Sequence, residues 1–275
     1  MRLSQVQHHG YKLPCLMLVG LAFGGLSCQK ATTAPSVFGV AAFTVVNAIP
    51  NSVNIIPVIN TSEPIMYFNG TYTASIGYGG FSEYSPPGGH DTVYVVQDNA
   101  DTLNIGPKAT GQMFFGTLPL KKGGAYSLFL CGADTTSPDY LLTTDTLPYY
   151  SPSDSVTGIR FVNLSTGSNA ISINQEGSPN GSDVTNLAYK GITSFKQYSN
   201  NSTTLDYLFV IRDGATGDSL TQFDFSIAGS YNNGYGLLDP NTGKLLTFKN
   251  VTIALIGQPG LTAVVPQSAV LIDDY

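Results

Sequence analysis

The run Gly158-Ile159-Arg160-Phe161-Val162-Asn163-Leu164 nearly copies an earlier one, Phe43-Thr44-Val45-Val46-Asn47-Ala48. A segment that recurs together with its surroundings restricts the chain to two copies of one folding unit. The surroundings do recur. Ser52 and Ile55 fall opposite Ser168 and Ile171 at the same offset from the shared Asn. Tyr78, Phe81 and Tyr84 align with Tyr189, Phe195 and Tyr198. Val95-Val96-Gln97-Asp98 matches Val210-Ile211-Arg212-Asp213, and Asp101-Thr102-Leu103 matches Asp218-Ser219-Leu220. The run from Tyr126 to Gly132 parallels the run from Val251 to Gly257.

Apolar residues at i, i+3, i+4 and i+7 are hard to find over any long window, which argues against helices. Short runs rich in Val, Ile, Tyr, Phe and Thr instead alternate with Gly, Pro, Asn and Asp clusters, the pattern of strands and turns. In the first copy strands are predicted over residues 40–47, 53–59, 65–68, 72–78, 81–84, 92–97, 102–105, 113–120, 126–132 and 140–147. The second copy begins near Gly158 and carries an extra turn-rich stretch over 230–247, with a hairpin loop at Asp239-Pro240-Asn241-Thr242-Gly243-Lys244. The expected fold is all-β: two tandem immunoglobulin-like antiparallel β-sandwich domains, at residues 40–150 and 156–275, after a lipoprotein signal peptide. The immunoglobulin Cys…Trp…Cys hallmark is absent, since the chain has no Trp. The link between the copies is short and contains Pro152, which predicts domains that sit close rather than swing freely.

The N-terminus reads as an address. A weakly cationic start (Arg2, His8, His9, Lys12) precedes an apolar run from Leu13 to Leu26. That run falls short of the roughly 20 residues a spanning helix needs and fits the core of a secretory signal. It ends at Leu26-Ser27-Cys28-Gln29-Lys30, which resembles a bacterial lipobox with Ser27 at the small position and the Leu one place late. Residues 1–27 are expected to be removed and Cys28 to be lipidated, with residues 28–39 as a tether. Simple cleavage after Ser27 is the other reading. The expected location is the cell envelope, as an outer-membrane lipoprotein, with surface or periplasmic face left open. Cys131 is then the one cysteine left in the folded part; it lies in an apolar strand, where it reads as a buried small hydrophobe.

Net charge is −6, and no Lys/Arg cluster follows Lys30. Nucleic-acid binding is thereby disfavoured, because affinity for phosphates requires clustered cations. Chemistry-bearing residues are sparse. Beyond the signal the only histidine is His90, in a Gly-rich loop with no nucleophile elbow nearby. Metal ligands are too few for a zinc site, and the terminal Asp273-Asp274 pair lacks the closely spaced oxygens of a calcium loop. No cofactor, metal site or catalytic residue is expected. Tyr78, Phe81, Tyr84, Tyr189 and Tyr198 are candidates for an aromatic binding surface, against the plainer reading that they pack half-buried strands. Asp precedes Ser or Thr at Thr92, Thr102, Thr135, Thr146, Ser155 and Ser219. These triplets resemble the O-glycosylation acceptor of Bacteroidetes envelope proteins, although Asp at turns before Thr-rich strands produces the same pattern.

Together, the opening of the second copy (residues 159–165), the mid-domain Tyr…Phe…Tyr pattern and the late strand ending in Gly132 resemble the domain-of-unknown-function family 4397. Those domains occur in bacterial extracytoplasmic proteins, often Bacteroidetes lipoproteins, commonly in tandem. The resemblance implies a β-sandwich and an envelope location, and it transfers no catalytic residue. The expected function is therefore a non-enzymatic, lipid-anchored binding or structural module, with a glycan or envelope protein as partner. The alternative is an envelope glycoside or ester hydrolase that uses a carboxylate pair not evident in the sequence.

Overall fold

The computed structural model describes residues 39–60, 75–98, 111–151, 154, 156–199, 206–226, 250–260, 263 and 265–274. Cys28, Thr102, Ser155, the expected strands at 65–68 and 102–105, and the loop at 239–244 lie outside the described residues.

Every regular element described is a strand. The first half contains β1 (Ala42–Asn47), β2 (Ile55–Ile59), β3 (Phe81–Tyr84), β4 (Asp91–Gln97), β5 (Gln112–Leu118), β6 (Ala125–Gly132) and β7 (Pro138–Asp145). The second contains β8 (Val156–Asn163), β9 (Ile171–Gln175), β10 (Val184–Leu187), β11 (Lys196–Ser199), β12 (Asp206–Asp213), β13 (Ser219–Ser226), β14 (Asn250–Ile256) and β15 (Ser268–Asp274). The expected strand over 72–78 is reduced, in its described part, to a single bridge between Ile76 and Ile55.

Strand order repeats between the halves. One sheet runs β3-β1-β6-β7 and its counterpart β11-β8-β14-β15; the other runs β2-β4-β5 and its counterpart β10-β9-β12-β13, with β10 the addition. The β1–β6 and β8–β14 ladders are parallel, and the rest are antiparallel. Each half packs its two sheets over its own core. Phe43, Val45, Val93, Val95, Leu128 and Leu130 fill the first. Ile159, Phe161, Phe209, Ile211, Ile253 and Leu255 fill the second. These are alternate residues on each strand, as the period of two in a pleated sheet requires.

The repeated Asn has a definite task in both halves. Asn47 is fully buried; its amide donates to the Ile76 carbonyl at 3.1 Å, and its Oδ1 accepts from Ile49 N and Ser52 Oγ. Asn163 repeats this on Leu187 O, Ser165 N and Ser168 Oγ. Each side chain satisfies backbone groups that the end of the ladder leaves unpaired. The Gly that ends each late strand is equally constrained. Gly132 and Gly257 have φ of +120° and +88°, and a Cβ would run into the Ser137 and Pro266 carbonyl oxygens.

The remaining faces decide the architecture. A sheet covered on one side alternates buried and exposed residues, yet β1, β6, β8 and β14 are buried almost end to end. Their second faces meet each other. Val46, Ala48, Phe129 and Cys131 from the first half pack with Val162, Leu164, Ala254, Ile256 and Ile272 from the second. Residues Thr32–Tyr275 accordingly form one compact unit. The linker is pinned as well, because the Asn250 amide donates to Pro148 O at 2.9 Å.

The contact uses equivalent faces. Counting from the shared Asn along the ladders, Thr44 is equivalent to Arg160, Ser127 to Thr252, Phe129 to Ala254, Cys131 to Ile256, and Asp145 to Asp274. The two halves therefore meet like the subunits of an isologous dimer joined in one chain.

One sequence alignment needs correction. Phe81 pairs with Val46, but the residue opposite Val162 is Ile192, so Ile192 rather than Phe195 holds the place of Phe81; likewise Lys196, opposite Ile159, rather than Tyr198 holds the place of Tyr84, opposite Phe43. From Val162 to Ile159 is three residues, while their partners Ile192 and Lys196 are four apart. The second copy thus carries one extra residue, a β-bulge, at Thr193-Ser194-Phe195. In the first copy the matching stretch is regular, from Val46–Phe81 to Phe43–Tyr84.

Candidate functional site

The bulge lies where the two halves meet, above a buried ion-pair cluster. Arg160 projects from β8 into the shared interface, in the midst of an otherwise apolar run. Its Nη1 donates to Asp145 Oδ1 of β7 at 2.6 Å, its Nη2 to Asp274 Oδ1 of β15 at 2.8 Å, and its Nε to Thr252 Oγ1 of β14 at 2.7 Å. The side chains are only 5%, 3% and 2% exposed for Arg160, Asp145 and Asp274. The hydroxyls around them complete the network. Ser127 Oγ donates to Asp145 Oδ2 at 2.6 Å, Thr143 Oγ1 to Asp145 Oδ1 at 2.8 Å, and Thr252 Oγ1 to Asp274 Oδ2. Ser127–Asp145 and Thr252–Asp274 are the same pair in the two copies, and one guanidinium holds both.

Electrostatics follow from the burial. Desolvation pushes the Asp274 carboxyl up to about 6, with the Arg160 charge pulling it back only in part. Desolvation also works against the Arg160 charge, but Asp274 and Asp145 outweigh it and hold the guanidinium above its ordinary value. The Phe195 ring, tilted in by the bulge, lies 4.7 Å from the guanidinium carbon.

Over this cluster opens a cleft of about 560 Å³. The end of β7 and the linker form one wall, with Thr143, Thr144, Thr146 and Pro148. The bulge forms the other, with Ile192, Thr193, Ser194 and Phe195. Thr144, Thr146 and Ser194 are exposed. Thr193 is held in place by its Oγ1, which accepts from Phe161 N at 2.9 Å. The volume is that of a small-ligand pocket.

Among the described residues, the cleft offers hydroxyls, an aromatic edge and apolar patches, but no acid or base free of a partner. Asp145 accepts hydrogen bonds at both oxygens, and so does Asp274, which is set back from the cleft lining. A glycosidase needs one carboxyl free to protonate a leaving group and one free to attack or to activate water. This geometry supplies neither from its carboxylate pair.

The sequence-predicted residues fall elsewhere. Tyr198 is a core residue, 4% exposed, its hydroxyl donating to Asp183 at 2.8 Å. Tyr84 packs against the first core. Tyr78, Phe81 and Tyr189 are half-buried at the shared interface. The five aromatics are thus split among three packed clusters. Burial pushes Tyr78 and Tyr84 up to about 12. Tyr189 Oη lies 3.2 Å from the buried Cys131 Sγ, and burial pushes that thiol up to about 11. Beside it Lys190 pairs with Asp139 at 2.9 Å on the rim of the interface. His90 is exposed, and among the described residues no His, Cys, Asp or Glu group could hold a metal ion. Of the described acceptor candidates, Thr146 and Ser219 are exposed, while Thr92 and Thr135 are half-buried.

Arg160, Asp145 and the bulge were not read from sequence as parts of a site, and Asp274 was weighed only within the terminal Asp273-Asp274 pair. A signal existed for the first: an Arg within Gly-Ile-Arg-Phe-Val-Asn-Leu is costly in a buried strand unless paired. The bulge had only the shift in spacing between Tyr78…Phe81 and Tyr189…Phe195.

No protein-family model and no curated protein matches the chain, so the resemblance to family 4397 rests on the motifs quoted above. Among solved structures, the chain is similar to a family 41 carbohydrate-binding module from streptococcal virulence factors, whose subject is α-glucan recognition. The match is 11% identical, covers 78% of this chain and 93% of that one, and has a TM-score of 0.22. A likeness at that level bears on neither mechanism nor ligand.

Proposed function

We propose that this protein is a non-enzymatic binding module held in the bacterial cell envelope by a lipid on Cys28. Its two fused sandwiches form a rigid body that presents the junction cleft to a ligand. The observation that carries this reading is the cleft itself: a pocket of about 560 Å³ whose charged residues, Arg160 and Asp145, are bonded to one another and to neighbouring residues. Such a site can hold a ligand by shape and hydrogen bonds, and among its described lining residues none is a spare group for acid–base chemistry. The lipobox-like Ser27-Cys28 junction and the short tether after it support the address.

Fractionation tests the anchor. Wild-type protein should partition with the outer membrane and Cys28→Ala should be released in soluble form. A Cys28→Ala protein still bound to membranes in wild-type fashion would overturn the lipid anchor. Protease treatment of intact cells then assigns the face: digestion means the surface, and protection until lysis means the periplasm.

A further inference from the structure

The two copies meet through equivalent faces, but the ends of that interface are not alike. Besides Arg160 in the place of Thr44, they differ by the single residue inserted at Thr193-Ser194-Phe195. Natural bulges are retained where they re-aim a side chain or end a ladder, often beside functional sites. This one moves Phe195 over the Arg160 guanidinium and lifts Ser194 to the lip of the cleft. Both walls are built from short hydroxyl side chains interleaved with flat apolar surface: Thr143, Thr144 and Thr146 with Pro148, and Thr193 and Ser194 with Phe195.

The chemistry selects the ligand. An anion would need a cation whose charge is not already met, but the Arg160 guanidinium is paired with two carboxylates, Asp145 and Asp274. A metal cation would need several carboxylate, His or Cys ligands together, and among the described residues no such group is present; Asp145 and Asp274 are each paired with Arg160. A purely apolar ligand would leave the exposed Thr144, Thr146 and Ser194 hydroxyls without partners in a closed contact, at about 1–3 kcal/mol each. An uncharged ligand with many hydroxyls and flat C–H faces meets each of these conditions. We infer that the junction cleft is a saccharide-binding site for a neutral oligosaccharide segment, gripped between the end of β7 and the bulge. This deepens the binding-module reading and rests on it. The walls come from both copies, so the site exists only in the fused pair.

Methyl NMR on the full mature chain tests the site. Ile192 and the threonines at 143, 144, 146 and 193 report on the cleft, and the probes are maltotriose, cellotriose and chitotriose, with sulfate as a charged control, each at about 10 mM. At least one trisaccharide should shift the cleft methyls in a saturable manner, and sulfate should not. Ser194→Trp should weaken that binding at least about tenfold by filling the cleft, and Thr146→Trp should act in the same direction from the other wall. Ser219→Trp, on β13 in the outer sheet of the second half, should leave it unchanged. The inference is overturned by a response to sulfate alone, by saccharide shifts that survive both cleft substitutions, or by no shift with any of the three sugars. Failure here with Cys28-dependent membrane attachment intact removes the saccharide site and leaves the anchor standing; the reverse pattern removes the anchor alone.

Discussion

Replacing Arg160 with Met should be the most damaging single change at the shared interface. The substitution keeps much of the side chain's length and removes the only cation among the described residues that pairs with Asp145 and Asp274, both of them nearly inaccessible. Breaking a buried pair and stranding its partner costs about 3–5 kcal/mol, a large part of a typical domain's stability. The structure also fixes the pH dependence. Asp274 has a folded pKa of about 6, above its ordinary 3.8. Its contribution to stability is therefore fully present below about pH 4 and is lost as pH rises through about 6. Without Arg160 the folded pKa climbs further, so the loss continues to higher pH and becomes larger. Urea unfolding followed by circular dichroism at pH 5 and pH 8 measures both effects. The variant should lie about 3–5 kcal/mol below wild type at pH 8 and closer to it at pH 5. The triple change Arg160→Met with Asp145→Asn and Asp274→Asn should recover much of the deficit. A loss under about 1 kcal/mol at pH 8, or one equal at the two pH values, would refute the assignment of Arg160 as the cation holding both carboxylates.

Further predictions follow from the repeated elements and from the buried thiol. Asn47→Ala and Asn163→Ala should each cost about 2–4 kcal/mol in urea unfolding, by similar amounts, because each strands a buried carbonyl and a buried N–H. Gly132→Ala and Gly257→Ala should each lower stability by more than about 2 kcal/mol, since both positive φ values and nearby carbonyls exclude a Cβ. Cys131 is fully buried, with its thiol pushed up to about 11. It should resist a thiol reagent at pH 8 in the folded protein and react promptly in denaturant.

Much of the fold was legible because its keystones are local. The Asn47 and Asn163 motifs, the late Gly residues and the β-branched runs each demand a particular backbone, so the repeat shows in the residues themselves. Other strand bounds were off by at most two residues, as with 113–120 expected against Gln112–Leu118, while the strand expected over 72–78 is a single bridge in its described part. The second faces of the central strands were harder to read. The apolar runs of β6 and β14 signal burial on both sides, but a sequence does not say that the partner is the other copy. The site was least legible of all. It is made of residues from four different strands, Asp145, Arg160, Thr252 and Asp274, of which only Arg160, in its apolar run, carries a signal of its own. Asp145 precedes Thr146 and drew attention as part of a glycosylation-like triplet; Asp274 drew it as half of a terminal acidic pair. Only the register of β7 and β15 shows them to be one position in two copies. Alignment also failed at the bulge: matching Phe81 to Phe195 and Tyr84 to Tyr198 requires three extra residues after Tyr189, whereas the structure has one, so neither aromatic holds the place assigned to it.

Differential scanning calorimetry on the mature chain, with Val162→Asp as comparison, tests most directly whether the two copies form one body. The aspartate would place an unpaired charge in the apolar contact that Val162 shares with Val46, Phe129 and Ala254. The fused architecture predicts one cooperative transition for the wild type, with calorimetric and van 't Hoff enthalpies in agreement, and a lower or split transition for the variant. Two separate transitions in the wild type, unmoved by Val162→Asp, would contradict the shared interface and with it the cleft formed there.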